Sequence, residues 1–240
     1  MTRARRRALL PLFAIAVAGA AFALARSGGE GPKPRPPAQR PTLLLLTSLP
    51  LIFGEDFSLK GGGSQALRRL QSRYRVVPIA TSSNAELARG RLLLMAQPPA
   101  QTPENLVALD DWVRRGGRVM LLADPMLEWP SKRPLGDVLR PLPMFADTGL
   151  LSHWGLRLDT PDQRGPALRK LAGREIQTIS PGALFGACAI SADRLVARCG
   201  LGRGMGVVVA DADFLNPANK DGPTDGNLPA LLNELVRLEP

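Results

Sequence analysis

From residue 42 onward, short apolar runs alternate with amphipathic segments. Thr42-Leu-Leu-Leu-Leu46 lies between Pro41 and Thr47-Ser48, the pattern of a strand covered on both faces. Ser64 caps a helical segment in which Leu67 and Leu70 form an apolar edge and Arg68, Arg69 and Arg73 face outward. Tyr74 to Ile79 alternates as a second strand, and Pro78 assigns it to a sheet edge. Ser82 or Ser83 caps a short helix around Ala85 to Arg89, and Arg91-Leu-Leu-Leu-Met-Ala96 reads as a third strand. Thr102 then caps a helix with Pro103 at its first position and Leu106, Leu109 and Val113 on one face, ended by Gly116-Gly117. Two further buried strands are Arg118-Val-Met-Leu-Leu-Ala123 and Gly206-Val-Val-Val-Ala210. A closing helix places Leu228, Leu231, Leu232 and Leu235 at the i, i+3, i+4, i+7 spacing. This alternation predicts an α/β domain over residues 42–240 with a mostly parallel sheet and flanking helices. Prolines crowd and periodicity fades across residues 129–174, which predicts an irregular insertion holding one short helix near Gly149 to Trp154.

The first forty residues follow a different logic. Arg3, Arg5, Arg6 and Arg7 form a basic tail over residues 1–7, ahead of the uncharged segment 8–25. Eighteen helical residues reach about 27 Å, close to the roughly 30 Å hydrocarbon core of a bilayer. Arginines on its N-terminal side stay cytoplasmic. The expectation is therefore a single-pass inner-membrane protein with a cytoplasmic N-terminus and a periplasmic main domain. Ala23-Leu24-Ala25 before Arg26 also resembles a signal-peptide cleavage site, and either reading exports the domain. Residues 26–41, rich in Pro, Gly and charge, predict a semi-extended, solvated linker.

Charge changes the picture only once it is located. The 240 residues carry 31 Lys and Arg against 21 Asp and Glu, a formal net charge of +10, which invites a nucleic-acid reading. Residues 1–40 hold eight of those cations and one acid, leaving only +3 for the remaining two hundred residues. With aromatics at 5%, a base-stacking surface has little to be built from, and no nucleic-acid partner is expected.

A resemblance adds to this reading. Asp110-Asp-Trp-Val-Arg-Arg-Gly-Gly-Arg-Val119, followed by Leu121-Leu-Ala-Asp-Pro125, resembles the helix–Gly-Gly–strand–Asp-Pro unit of auxiliary proteins of uncharacterised ABC-type transport systems. That group includes gliding-motility auxiliary components and class I glutamine amidotransferase-like domains that lack the catalytic residues. The ending is similar too: Gly202-x-Gly204, Val207 to Val209, Asp211-x-Asp213-Phe-Leu-Asn216, Gly226-Asn227 and Leu231-Leu-Asn233. The resemblance implies a flavodoxin-like sheet, a non-catalytic accessory role, and an ABC permease or another membrane protein as partner. It supplies no ligand and no cofactor.

The residues themselves agree with a non-catalytic reading. Gly186-Ala-Cys188-Ala-Ile190 approaches a nucleophile elbow but lacks its second glycine, and the one histidine, His153, lies upstream in the insertion. One His and two Cys also fall short of a zinc set, so no metal or cofactor is expected, and His153 reads as a partly buried packing residue. Lys60-Gly-Gly-Gly-Ser64 lacks P-loop spacing. Acids remain: Asp124, Asp211 and Asp213 fall at strand ends, with Asp56 in the loop after the first strand. Open α/β sheets bind ligands outside the carboxyl ends of their strands. The four acids are therefore the candidate binding cluster, and the basis of an alternative reading as an exported hydrolase with or without a divalent metal. The plainer expectation is that they accept hydrogen bonds from loop amides and from Asn216 or Asn227.

Cys188 and Cys199 are the only cysteines of a chain expected in an oxidising compartment. A two-residue turn at Asp193-Arg194 pairs Ser191 with Val196 and Cys188 with Cys199, which predicts a disulfide. Counting outward from that turn makes the cysteines a hydrogen-bonded pair, the less comfortable setting for a cross-strand bridge.

Overall fold

A computed structural model describes residues 31–52, 63–134, 136–137, 139–216 and 224–240. Seven strands form the main sheet in the order β2-β1-β3-β4-β11-β10-β9. They are β1 (Thr42–Thr47), β2 (Arg75–Pro78), β3 (Leu92–Ala96), β4 (Arg118–Leu122), β9 (Ala189–Ile190), β10 (Val196–Leu201) and β11 (Gly204–Val209). The first five in that order run parallel, and β10 and β9 add an antiparallel edge. Leu43 to Leu46, all of β3, Val119 to Leu122 and Val207 to Val209 are buried. Helices on both faces of a parallel sheet leave its central strands no solvated side. Pro78, which cannot donate a ladder hydrogen bond, sits on the edge strand β2.

The helices are α1 (Gln65–Gln71), α2 (Asn84–Leu87), α3 (Pro103–Arg114), α4 (Leu150–His153) and α5 (Asn227–Leu238). Ser64, Ser83 and Thr102 accept the amides of Leu67, Glu86 and Asn105, capping α1, α2 and α3. Helix α3 ends in a Schellman motif: Gly116 donates to the Val113 carbonyl and Gly117 to that of Trp112. Gly116 has φ +114°, which a side chain would resist. α1 packs beside α5, and α2 beside α3.

The stretch 129–174 departs from the irregular insertion expected of it. It contains α4, β5 (Leu156–Asp159) and β6 (Pro166–Leu171). β5 pairs with β8 (Ala183–Gly186) and β6 with β7 (Arg174–Ile179), both antiparallel. These ribbons escape sequence patterning because β6 alternates exposed and half-buried positions without an apolar run. The linker also differs over residues 31–41, which dock instead of remaining a free spacer. Pro37–Gln39 forms a short 3-10 helix, and the Arg35 guanidinium grips the Glu239 carboxylate at 2.9 and 2.7 Å. The Tyr74 hydroxyl donates to that carboxylate at 2.8 Å, and Arg73 donates to the Lys33 carbonyl. Prolines that cannot donate are held by side chains that can. Among the described residues no helix is long and apolar enough to cross a membrane; the segment 8–25 lies outside them.

Candidate functional site

Strand β4 ends at Leu122 and β11 at Val209, paired side by side, so Asp124 and Asp211 leave the sheet next to each other. Asp213 opens the 3-10 helix Asp213–Leu215. The structure therefore gathers Asp124, Asp211 and Asp213 at the carboxyl end of two neighbouring strands; Asp56 lies outside the described residues. The three are 0%, 0% and 1% exposed. Asp124 accepts the Met126 amide through Oδ1 and the Ala212 amide through Oδ2, both at 2.8 Å. Asp211 accepts Phe214 through Oδ1 at 3.0 Å and Ile179 through Oδ2 at 3.1 Å. Asp213 accepts the Glu128 amide at 2.8 Å. The carboxylates thus fasten the ends of β4, β7 and β11 and the loop at 126–128 to one another. Asn227 binds no carboxylate: it exchanges hydrogen bonds with the Gln177 backbone and donates to the Phe214 carbonyl.

Burial sets the protonation of this cluster. Removal from water pushes Asp124 up to about 6, against the pull of its amide donors. Asp213 rises to about 7, first by burial and then through the charges of Asp124 and Glu128. Asp211 is raised well above the ordinary carboxylate range by burial and by the charges of Asp124 and Asp213. Such a cluster holds protons at pH values where exposed acids have lost them.

Two neighbours left no sequence signal. Gln97, with φ +44°, is fully buried. Its Oε1 accepts the Asp124 amide at 2.9 Å while its Nε2 donates to the Asp124 and Leu142 carbonyls. Ser180, with φ +45°, donates from Oγ to Glu128 at 2.6 Å and accepts the Gly165 amide at 2.9 Å. Neither left-handed backbone nor long-range capping leaves a periodic trace. The crevice between the ends of β1 and β3, where the chain reverses its direction across the sheet, is laced shut on its described side. There Thr47 Oγ1 donates to the Ala96 carbonyl at 2.7 Å and Ser48 Oγ to that of Gln97 at 2.5 Å.

His153 differs from expectation. Its side chain is 58% exposed, and its Nε2 lies 3.2 Å from Asp110 Oδ2. It borders a cavity of about 470 Å³ between α3 and α4, walled by Leu106, Val107, Leu150 and Asp110. Trp154, which is buried, takes the packing role and donates its indole N–H to Asp110 at 3.0 Å. Among the described residues no group of three or more His, Cys, Asp or Glu is placed to hold a metal ion.

Cys188 and Cys199 form a disulfide with Cα atoms 4.9 Å apart. Ala197 faces Ile190 and Arg198 faces Ala189, the register expected. The turn is wider than two residues: Arg194, left-handed at φ +57°, donates to the Ser191 carbonyl. Because the Ser191 amide donates to the Val196 carbonyl at 2.8 Å, alternation puts the cysteines on a non-hydrogen-bonded pair. A two-residue turn would reverse this phase; the hairpin closes instead at Ser191 and Val196, one pair farther from the tip. Bonded to Cys199, Cys188 presents no thiol to act as a nucleophile.

No family model matches this chain. No curated protein matches it either. Solved structures share its fold at low identity. Gan42B, a GH42 beta-galactosidase from G. stearothermophilus, is 16% identical with a TM-score of 0.50, over 86% of this chain and 31% of its own. The mmIFT52 N-terminal domain is 11% identical with a TM-score of 0.50, over 81% of this chain and 97% of its own. An exo-beta-1,4-mannosidase, Op5Man5 from Opitutaceae bacterium strain TAV5, aligns at 12% identity and a TM-score of 0.48, over 83% of this chain and 36% of its own. The chain spans about a third of the length of these glycoside hydrolases. What is shared is an architecture that occurs both as one part of a larger enzyme and as nearly a whole domain.

Proposed function

We propose that this chain is a membrane-tethered, non-catalytic accessory domain working beside an ABC-type transport system. The observation that carries the reading is the carboxylate cluster. At the sheet end where α/β proteins do their chemistry, all three described acids are buried and occupied with backbone amides, so they serve the fold. The strand order β2-β1-β3-β4-β11 is that of a flavodoxin-like sheet, in keeping with the transport auxiliaries that the Gly116-Gly117 and Asp124-Pro125 unit resembles. Export is supported by the arginines before segment 8–25 and by a disulfide of the kind that persists in oxidising compartments. Crosslinking in intact membranes followed by mass spectrometry tests the partner. Recovery of permease subunits is expected, and crosslinks confined to soluble proteins would overturn the proposal.

The hydrolase alternative rests on one observation, the upward shifts of Asp124 and Asp213, because perturbed acids cluster at functional sites. Turnover of chromogenic ester, phosphoester or glycoside substrates by the purified full chain, abolished in Asp124→Asn, would favour it.

A further inference from the structure

An arginine stands at the entrance of every parallel strand. Arg40 stands two positions before β1, Arg75 and Arg118 open β2 and β4, and Arg91 and Arg203 immediately precede β3 and β11. The five strands are parallel, so all five side chains belong to one end of the sheet, opposite the carboxylates. At about 4.8 Å between strands, the row extends for roughly 19 Å. Backbone bonds anchor its members: Arg118 donates to the Arg91 carbonyl at 2.9 Å, and Arg203 to that of Arg114, the last residue of α3, at 2.9 Å. Arg75, Arg91 and Arg203 are exposed, and Arg40 and Arg118 are half-buried. Among the described residues, none of the five has a carboxylate within ion-pair distance.

Helix electrostatics do not account for this row. Cations in the last turn of a helix answer its dipole, which suffices for Arg68, Arg69, Arg114 and Arg237 at the ends of α1, α3 and α5. Strand starts present no comparable dipole. The folded part of the chain carries almost no net charge, yet it concentrates unneutralised guanidinium groups on one end.

The chain's own course says what lies opposite. Residues 31–41 arrive at this same end, where the Arg35 amide donates to the Ser72 carbonyl at 2.9 Å and its guanidinium binds Glu239. Only Arg26 to Glu30 separate segment 8–25 from the docked residues, and five residues reach about 18 Å at most. From these observations we infer that the strand-entry arginines form a membrane-facing surface that binds anionic phospholipid headgroups. The inference rests on the membrane-tethered reading above and adds to it the orientation of the domain, carboxylate end outward.

The test uses the full chain in nanodiscs of phosphatidylcholine alone or with phosphatidylglycerol added. Phenylglyoxal labelling of individual arginines is read by mass spectrometry. Labelling of Arg75, Arg91 and Arg203 should slow about fivefold or more in anionic discs, the effect expected near a charged surface, and recover in high salt. Arg157, exposed on β5, should not change. Arg69, exposed in the last turn of α1 just before β2, should slow with the row in the parent, and the triple variant Arg75→Gln/Arg91→Gln/Arg203→Gln should keep the parent melting temperature and lose that slowing. Equal rates in both discs overturn the inference, and so does equal slowing by heparin in neutral discs, which assigns the face to soluble polyanions such as nucleic acid. Retention of the chain in discs at high salt reads the tether separately. A chain that washes off while its arginines are still slowed at low salt refutes the anchor and leaves the lipid face standing.

Discussion

The two ends of the parallel sheet handle charge in opposite ways. At the carboxyl end, Asp124, Asp211 and Asp213 are withdrawn from water and saturated with amide donors. At the amino end, Arg75, Arg91 and Arg203 stay in solvent, with no acid of the described residues within ion-pair distance. A carboxyl group that is buried and hydrogen-bonded joins segments distant in sequence: Asp211 alone ties Ile179 and Phe214 to the end of β11. A charge left in water contributes little to folding. The acids at one end hold the protein together, while the bases at the other remain available to something outside it.

If that contrast is right, the largest loss of stability comes from Asp211→Ala. Two buried amides lose their acceptor, at about 1–3 kcal/mol each, so the variant should unfold about 2–6 kcal/mol earlier in urea. A change below 1 kcal/mol would mean that the amides find water, and the cluster would then be open to ligands.

Protonation provides the next test. Asp213 rises from its ordinary value to about 7 in the folded protein. Between these values the native state binds more protons than the unfolded state, so this contribution to stability is complete at acid pH and fades as pH climbs through about 7. Compared with the parent, Asp213→Asn should therefore gain about 2–3 kcal/mol on passing from pH 5 to pH 8. Parallel melting curves across that range check it. A constant difference would show that Asp213 ionises at its usual pH, as a solvated carboxylate does.

The two ends were not equally legible in the sequence. The buried strands announced themselves as apolar runs, and the caps Ser64, Thr102 and one of Ser82 and Ser83 as polar residues ahead of amphipathic segments, because both signals are local. The position of Asp124, Asp211 and Asp213 followed from their place just after such runs. What they bind did not, since Ile179, Ala212 and Glu128 are brought to them by tertiary structure. Gln97 and Ser180 were invisible for a related reason: their left-handed backbones serve remote partners, not a neighbouring pattern. The ribbons β5–β8 and β6–β7 lie partly in solvent and lack the apolar runs that marked β1 and β3. Arg40, Arg75, Arg91, Arg118 and Arg203 share no local spacing in the sequence, and only the topology aligns the strands that they begin.

The disulfide sharpens the contrast, because it is a covalent device at the arginine end. Cys199 faces Gly206, near the start of β11. Replacing both cysteines with serine should cost about 2–3 kcal/mol, as expected for closing a short loop, and should loosen β9 before the parallel strands. Urea unfolding with hydrogen exchange measures both. Intact mass after alkylation without reductant gives the bond itself, and two alkylated cysteines in freshly exported, unfolded protein would mean it does not form.

The smallest effect belongs to the exposed arginines, and it is the one that most directly separates the two ends. Arg91→Gln and Arg203→Gln remove exposed guanidiniums that have no ion pair among the described residues, while the backbone bonds between Arg118 and Arg91, and between Arg203 and Arg114, survive any side chain. Arg75→Gln gives up one exposed hydrogen bond to Thr42 Oγ1, which water replaces. Each variant should stay within about 0.5 kcal/mol of the parent, as surface substitutions do. Arg118 is set apart because its Nε is buried without a partner, so Arg118→Met should be neutral or stabilising. Chemical unfolding of the four variants decides the matter. A loss above 1 kcal/mol at Arg75, Arg91 or Arg203 would mean that the amino end, too, is built for stability, and the division between the ends would fail.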